Sequence, residues 1–314
     1  MKSLWTMGEL IVEIMRPRPE IPHGVIGEYI GPFPSGAPAI MISAAARMGA
    51  VTGIVGGVGK DAHGDMLVGR LEQYGVDCRY VLRSDKSSTG NAFVMYHTDG
   101  SREFIYHIAG TPATESPVPD VSKIENPGYF HIMGCSLTIN EEYCRKMVDM
   151  ATQFISFGGK ITFDPNIRPE LLRGGNLMAI IAPVVENCSI LLPGVEELLM
   201  MSGEEDVETA VKKMFERAVL EMIVLKNGSR GCKVYTRNGV FESPAYKVVQ
   251  KDATGAGDCF DGAFLAALLA GKDVIQAAKE GNAAGALNAA AFGPMEGNIS
   301  PETIAEMIAK GYGS

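Results

Sequence analysis

Short apolar runs alternate with longer amphipathic ones along most of the chain. The short runs predict strands at Leu10 to Met15, Val51 to Val55, Tyr129 to Met133, Lys160 to Phe163, Ser189 to Leu192 and Met222 to Leu225. The longer ones predict helices at Ala39 to Met48, Gly64 to Tyr74, Glu141 to Phe157, Asp206 to Val219, Gly257 to Ala270 and Val274 to Ala291. End signals agree with several of these limits. Asn140 can cap the helix that begins at Glu141, Gly271 can close the one that ends at Ala270, and Ser300-Pro301 can open a last helix. Strand followed by helix, repeated, favours a mostly parallel sheet covered on both faces.

Two regions break the alternation. Residues 16 to 35 are rich in Pro and Gly, with Arg16-Pro-Arg-Pro-Glu-Ile-Pro22 and Gly31-Pro-Phe-Pro34. Residues 91 to 108 predict a hairpin: Asn91 to Tyr96, a turn at Thr98-Asp-Gly-Ser101, then Glu103 to Ile108. Neither fits a parallel core. Together, residues 12–35 and 89–110 are expected to form a small β layer, either a lid or surface decoration.

Composition narrows the class. The chain has 314 residues, 46% hydrophobic and 21% charged, which is globular composition. A single α/β domain spanning 1–314 is expected, since α/β folds of this size are often undivided. The formal charge of −9 argues against nucleic acid or an anionic membrane as a partner. No long uncharged apolar stretch and no signal-peptide pattern is found, so a cytoplasmic protein is expected. The six cysteines form no C-x-x-C pair, and reduced thiols are the expected state. The five histidines show no metal-ligand spacing. Gly53-Ile-Val-Gly-Gly-Val-Gly59-Lys60-Asp61 fails as a P-loop, because its spacing is one residue too long and Asp61 replaces the Ser or Thr that would hold Mg²⁺.

The most informative segment is Asp252-Ala-Thr-Gly-Ala-Gly-Asp258, followed at once by an apolar helix. Its small residues leave the amides of Gly255, Ala256, Gly257 and Asp258 open to a ligand. Amides at a helix N-terminus suit phosphate oxygens. A carboxylate at Asp258 is favoured there as the anion and can accept a hydroxyl proton. Phosphoryl transfer to an alcohol needs this combination of cradle and base. Taken alone, Asp258 reads better as the cap of a buried helix than as a base.

The string closely resembles the signature of the ribokinase-like (PfkB) carbohydrate kinases, with Ala253 in place of the usual Thr. Further segments match in order: Ser35-Gly-Ala-Pro-Ala39, Ile54-Val-Gly-Gly-Val-Gly-Lys-Asp-Ala-His-Gly64, and Asp164-Pro-Asn-Ile-Arg168. The last is similar to the Asp-x-Asn-x-Arg of the fructokinase and 2-keto-3-deoxygluconate kinase branches. The resemblance implies a three-layer α/β/α sandwich with a mostly parallel central sheet and a small β-sheet lid.

It also implies roles. Asp258 would be the base, Gly255, Ala256 and Gly257 the anion hole, and Arg168 a contact to the transferring phosphate. Lys226, Gly228, Gly255, Gly257, Asn282 and Asn288 would line the ATP site. Glu13, Gly36, Ala37, Arg168 and Asp258 would face the sugar. Glu197 would hold Mg²⁺ through water, and Asp252 with Thr254 would hold a monovalent cation such as K⁺. A homodimer through the lid is implied by analogy.

Departures bear on the substrate. Gly194 stands where the Asn of an Asn-x-x-Glu motif is usual, Ile40 where a sugar-contacting Asn is usual, and Glu13 where an Asp is usual. Tyr106-His-Ile-Ala109 lacks the lid Arg that helps relatives bind a sugar acid. A neutral ketose such as fructose or tagatose is therefore expected over a keto-deoxy sugar acid. His107 could partly replace that Arg. The alternatives are a nucleoside kinase on the same scaffold, disfavoured by the Asp164-x-Asn-x-Arg168 motif, and a non-catalytic sugar or nucleotide sensor, motivated by Gly194 and Ile40.

Overall fold

The computed structural model describes residues 1–172 and 176–312. Its strands are β1 (Ser3–Met7), β2 (Ile11–Met15), β3 (Ile30–Ser35), β4 (Val51–Gly59), β5 (Asp77–Ser84), β6 (Gly90–Tyr96), β7 (Arg102–His107), β8 (Pro127–Met133), β9 (Lys160–Asp164), β10 (Cys188–Leu191), β11 (Met222–Lys226), β12 (Cys232–Thr236) and β13 (Gly239–Ser243). Its α-helices are α1 (Ala37–Arg47), α2 (Ala62–Gln73), α3 (Gly134–Leu137), α4 (Glu141–Ser156), α5 (Pro169–Leu172), α6 (Leu177–Val185), α7 (Val195–Ser202), α8 (Val207–Met214), α9 (Ala256–Leu269), α10 (Val274–Ala289) and α11 (Pro301–Lys310).

Nine strands form one sheet in the order β13-β12-β11-β10-β9-β8-β1-β4-β5. Pairing is parallel from β5 through to β11, and β12 and β13 add an antiparallel edge. Alternate side chains on each strand enter different cores, as strand geometry dictates. Leu4, Ile54 and Val224 pack with α1, α2, α9, α10 and α11 on one face. Trp5, Val55 and Ile223 pack with α4, α6, α7 and α8 on the other. Two cores on one sheet make the three-layer α/β/α sandwich.

The second sheet has the order β3-β2-β6-β7. Two antiparallel pairs, β2/β3 and β6/β7, meet through a parallel β2/β6 contact. Between β2 and β3 lies the Pro- and Gly-rich segment. It is gathered around one side chain: Arg16 is fully buried, its guanidinium donates to the carbonyls of Pro22 (2.8 Å), Glu28 (3.2 Å) and Val25, and it lies 3.9 Å above the Tyr29 ring. A buried charge that serves several carbonyls can hold an irregular segment that has no ladder of its own.

Several expectations need correction. The strand expected at Leu10 to Met15 forms at residues 11–15 and belongs to the small sheet, while the core strand Ser3–Met7 was not expected. The expected helix from Asp206 to Val219 is confined to Val207–Met214, with Asp206 capping it through the Thr209 amide (2.9 Å). The sequence pattern also gave no sign of β5, β12, β13, α6 or α7. The caps at Asn140 and Ser300 form, and Gly271 takes the left-handed conformation at φ +80°. No helix among the described residues is long and apolar enough to cross a membrane. All six cysteines are unpaired.

Candidate active site

Three loops at the C-terminal ends of β9, β10 and β11 meet the N-terminus of α9, where ligands of open parallel sheets gather. The turn before α9 is built by its own sequence. Asp252 Oδ1 accepts the Thr254 amide (2.9 Å), and Gly255 turns the chain at φ +75°. A Cβ on Gly255 would fall 2.4 Å from the Pro294 carbonyl oxygen, so only glycine fits. The first turn of α9 then presents Asp258. Within the turn, the Ala256 amide donates to the Ala253 carbonyl at 3.3 Å.

Asp258 is buried, and Asn166 Nδ2 donates to its Oδ1 at 2.9 Å. Burial first, and then the nearby Asp164 charge, push its carboxyl up to about 6. Asn166 itself sits at φ +40°, held by its amide donating to Asp164 Oδ1 (3.1 Å). Lys226, at the end of β11, donates to Asp164 Oδ2 (2.8 Å) and to Asp261 Oδ2 (3.0 Å). Burial disfavours the Lys226 ammonium, but the two aspartates overcome this and raise its pKa. Burial likewise pushes Asp164 up, and Lys226 more than reverses that, so Asp164 stays ionised. Asp261 is driven far above the ordinary carboxylate range, chiefly by burial.

Two cavities flank this cluster. The first, about 220 Å³, is lined by Glu9, Glu13, Gly36, Ala37, Ile40, Arg102, Phe104, Tyr106, Asn166, Arg168, Glu197, Thr254, Gly255 and Asp258 among others. The second, about 500 Å³, is lined by Gly228, Tyr246, Val248, Ala256, Phe260, Asn282 and Ala286 among others. Lys226, Ala253 and Gly257 line both. The two spaces therefore meet at the N-terminus of α9. The first is smaller than the roughly 300–1,000 Å³ of drug-sized ligand sites, and suits a small polar molecule.

The first cavity is strongly polar at its base. Ser35 Oγ donates to Glu13 Oε1 at 2.6 Å, while Glu13 Oε2 is buried with no partner. Burial pushes Glu13 up to about 7, against the lowering effect of Ser35. Glu9 accepts from Ser136 Oγ and is also raised by burial. Glu197 accepts the Gly194 amide (2.7 Å) on Oε2 and the Ile167 amide (2.9 Å) on Oε1, and burial raises its carboxyl.

The structure thus brings Glu13, Gly36, Ala37, Arg168, Glu197, Lys226, Thr254, Gly255, Gly257 and Asp258 to one cavity, and Gly228, Ala256 and Asn282 to the adjoining one. Asn282 is fixed there by donating to the Ser243 carbonyl and Oγ, both at 3.0 Å. Asn288 is not in the pocket wall as expected. It is fully buried behind the turn, where its Nδ2 donates to the Thr254 carbonyl (2.8 Å) and its Oδ1 accepts the Gly297 amide (3.2 Å). Asp252 and Thr254, expected to hold a monovalent cation, have their side-chain oxygens bonded within the protein. Asp252 Oδ2 accepts from Tyr96 Oη (3.1 Å) and the Gly293 amide (3.0 Å), and Thr254 Oγ1 accepts from Arg102 Nη1 (3.0 Å).

Sequence reasoning missed Glu9, Arg102, Tyr106, Asn166 and Asp261. For Asn166 the signal existed, because it is the middle residue of Asp164-Pro-Asn-Ile-Arg168. For Arg102 the hairpin register held it: Tyr96 and Arg102 are cross-strand partners, and both reach the turn.

A model of the pfkB family carbohydrate kinases matches residues 1–301. The chain belongs to that family. It is accordingly a sugar kinase, a phosphotransferase with an alcohol acceptor. Among curated relatives of this kinase, rice fructokinase-1 is 32% identical over 268 residues, 82% of either chain. Salmonella typhimurium fructokinase is 27% identical over 270 residues, 85% of either chain. Among solved structures, an Escherichia coli protein provisionally assigned as ribokinase II, in complex with ATP and Mg²⁺, is 35% identical with a TM-score of 0.90, covering 99% of this chain and 100% of that one. Fructokinase from Vibrio cholerae O395, bound to fructose, ADP and calcium, shares the fold at 23% identity and a TM-score of 0.84, covering 98% of this chain and 99% of that one.

Proposed function

We propose that this kinase transfers the γ-phosphoryl group of ATP to a hydroxyl of a neutral ketose of the fructose or tagatose type. The observation that carries this is the meeting of the two cavities at Lys226, Ala253 and Gly257, with Asp258 lining the smaller one. ATP would lie in the larger cavity, its phosphates reaching the α9 amides and Arg168. The sugar would lie in the smaller one, with Asp258 accepting the proton of the attacking hydroxyl.

The base of the sugar cavity favours hydroxyl groups over a carboxylate. Glu13 offers an unpartnered acceptor, and burial disfavours the charged forms of Glu13 and Glu9, so these carboxyls suit sugar hydroxyls as hydrogen-bond partners. Arg102 and Arg168 line the same cavity and bring positive charge to it, which makes sugar acids the critical comparison in the screen below. Among the described residues no group of three or more His, Cys, Asp or Glu is placed to hold a metal ion. Glu197 lines the cavity with a hard oxygen donor whose two oxygens are each held by a backbone amide, and it would reach Mg²⁺ brought in on the nucleotide through water. Bound Mg²⁺ would neutralise phosphate charge. We further infer one domain over 1–314, with the small sheet as a lid that excludes water, and action in the cytoplasm, where unpaired thiols persist.

The test is an ATP-coupled turnover screen of ketoses, aldoses, polyols, sugar acids and nucleosides. A neutral ketose is expected to give the highest kcat/KM. A sugar acid or a nucleoside as the best substrate would overturn the assignment, and ATP binding with no turnover across the panel would favour a sensor.

A further inference from the structure

We propose that Asn288, helped by Arg102, takes the place of a monovalent cation in this kinase, which therefore works without monovalent-cation activation. The inference rests on the kinase assignment but not on which sugar is used. The site implied by resemblance would use oxygens of Asp252 and Thr254 to bind the ion. In this chain the Asp252 carboxylate and the Thr254 hydroxyl and carbonyl already have partners. The Thr254 carbonyl accepts Asn288 Nδ2 at 2.8 Å, and the other side of that amide, Oδ1, accepts Gly297 N–H at 3.2 Å. One neutral side chain thus ties the turn before α9 to the segment that follows α10. An ion bridging those two segments would have the same mechanical effect.

Space and charge agree. Asn288 is fully buried. A Cβ on Gly297 would fall 2.9 Å from Asn288 Oδ1, and one on Gly255 would fall 3.2 Å from Asn288 Nδ2, so both segments pack directly on the side chain. A cation at the Thr254 carbonyl would have to share that oxygen with Nδ2, whose N–H already points the positive end of its dipole there. On the opposite side, the Arg102 guanidinium lies 3.0 Å from Thr254 Oγ1. It already supplies positive charge to the turn, and a second cation there would be repelled. The Asp252 carboxylate is shared among the Thr254 and Gly293 amides and Tyr96 Oη, which leaves it oriented without an ion.

The test compares KCl, NaCl and tetramethylammonium chloride at one ionic strength, on the full chain, with two readouts. Turnover of the best sugar is expected to agree within twofold in the three salts. Thermal midpoints with a non-hydrolysable ATP analogue and Mg²⁺ are expected to agree as well, and this arm needs no sugar, so it stands if the substrate assignment fails. A tenfold stimulation by K⁺, or a midpoint raised by K⁺ over the other two salts, overturns the proposal. Asn288→Ala exposes the Thr254 carbonyl. It is expected to lose at least tenfold in kcat and to recover part of that with K⁺ but not with tetramethylammonium. An Asn288→Ala protein with undiminished activity in all three salts overturns the role of Asn288. If that variant does not fold, the wild-type salt comparison decides alone.

Discussion

The environment of Asp258 suits the role of base proposed for it, which makes two opposing demands. It must be ionised to accept a proton, yet basic enough to take one from an alcohol. Burial with Asp164 nearby puts it at about 6, while Asn166 holds its orientation from 2.9 Å. If Asp258 is the base, kcat/KM should rise from pH 5 to 7 and level off above, with an apparent pKa near 6. Asp258→Asn should keep the fold and nucleotide binding but lose about three or more orders of magnitude in kcat. Near-normal turnover in that variant would remove Asp258 from the mechanism. Glu13 carries a different consequence, one of stability. Its pKa is 4.5 when unfolded and about 7 in the fold, so ionisation is penalised in the native state. Above pH 7 the whole penalty applies, about 3 kcal/mol at roughly 1.4 kcal/mol per pH unit. It is relieved as pH falls through 7 and has vanished below 4.5. Glu13→Gln should therefore melt at least ~3 °C above the wild type at pH 8, and the gap should close by pH 5. The same variant should bind the sugar more weakly, because Gln cannot offer two acceptors. A melting gap that does not change with pH would mean that Glu13 titrates normally.

The element that delivers Asp258 is α9, and it packs closely against α1 at Gly262. A Cβ on Gly262 would lie 2.2 Å from the Met41 carbonyl oxygen, which belongs to helix backbone and cannot move aside alone. Two effects compete in Gly262→Ala. Helix propensity favours Ala by about 1 kcal/mol. Overpacking opposes it by about 1–3 kcal/mol, and a contact this short belongs at the upper end. The variant should be less stable by urea unfolding, and kcat should fall because α9 carries the base. A more stable variant would mean that the helices separate at little cost. Elements of this kind were the legible ones. α9, α10 and the β6/β7 hairpin have local signatures: a glycine turn before an apolar run, an Ala-rich period, and alternation around Asp-Gly. What was illegible depended on partners distant in sequence. Ser3–Met7 and Ile11–Met15 are both five-residue apolar strands, and only their neighbours, β4 and β8 for one and β3 and β6 for the other, assign them to different sheets. Asn288 on an Ala-rich helix looks like a pocket residue. Its role as a clamp is set by the Thr254 and Gly297 backbone, which sequence alone does not place beside it.

At the scale of the molecule, the small sheet and the catalytic turn are mechanically one unit. β7 alternates strictly, with Arg102, Phe104 and Tyr106 toward the sugar cavity and Glu103, Ile105 and His107 toward solvent. This also explains why the absence of an arginine at position 107 says little about the cavity: that position faces out, where His107 packs edge-on against Phe93. Arg102 and its cross-strand partner Tyr96 grip Thr254 and Asp252, the residues that shape the anion-binding turn. Closure of the small sheet over a sugar would therefore also tighten the phosphate cradle, and an unfilled sugar cavity would leave both loose. If the small sheet acts as a lid, such coupling would protect ATP from water by tightening the cradle when the acceptor hydroxyl is present. Hydrogen exchange measures it directly. Amides of residues 90–107 and of 252–258 should slow together when sugar and ADP are added, and much less with ADP alone. Arg102→Met with Tyr96→Phe should break the correlation, raise KM for the sugar and increase the ratio of ATP hydrolysed to sugar phosphorylated. If the two segments are protected independently in the wild type, the small sheet covers the sugar without reporting its presence to the turn.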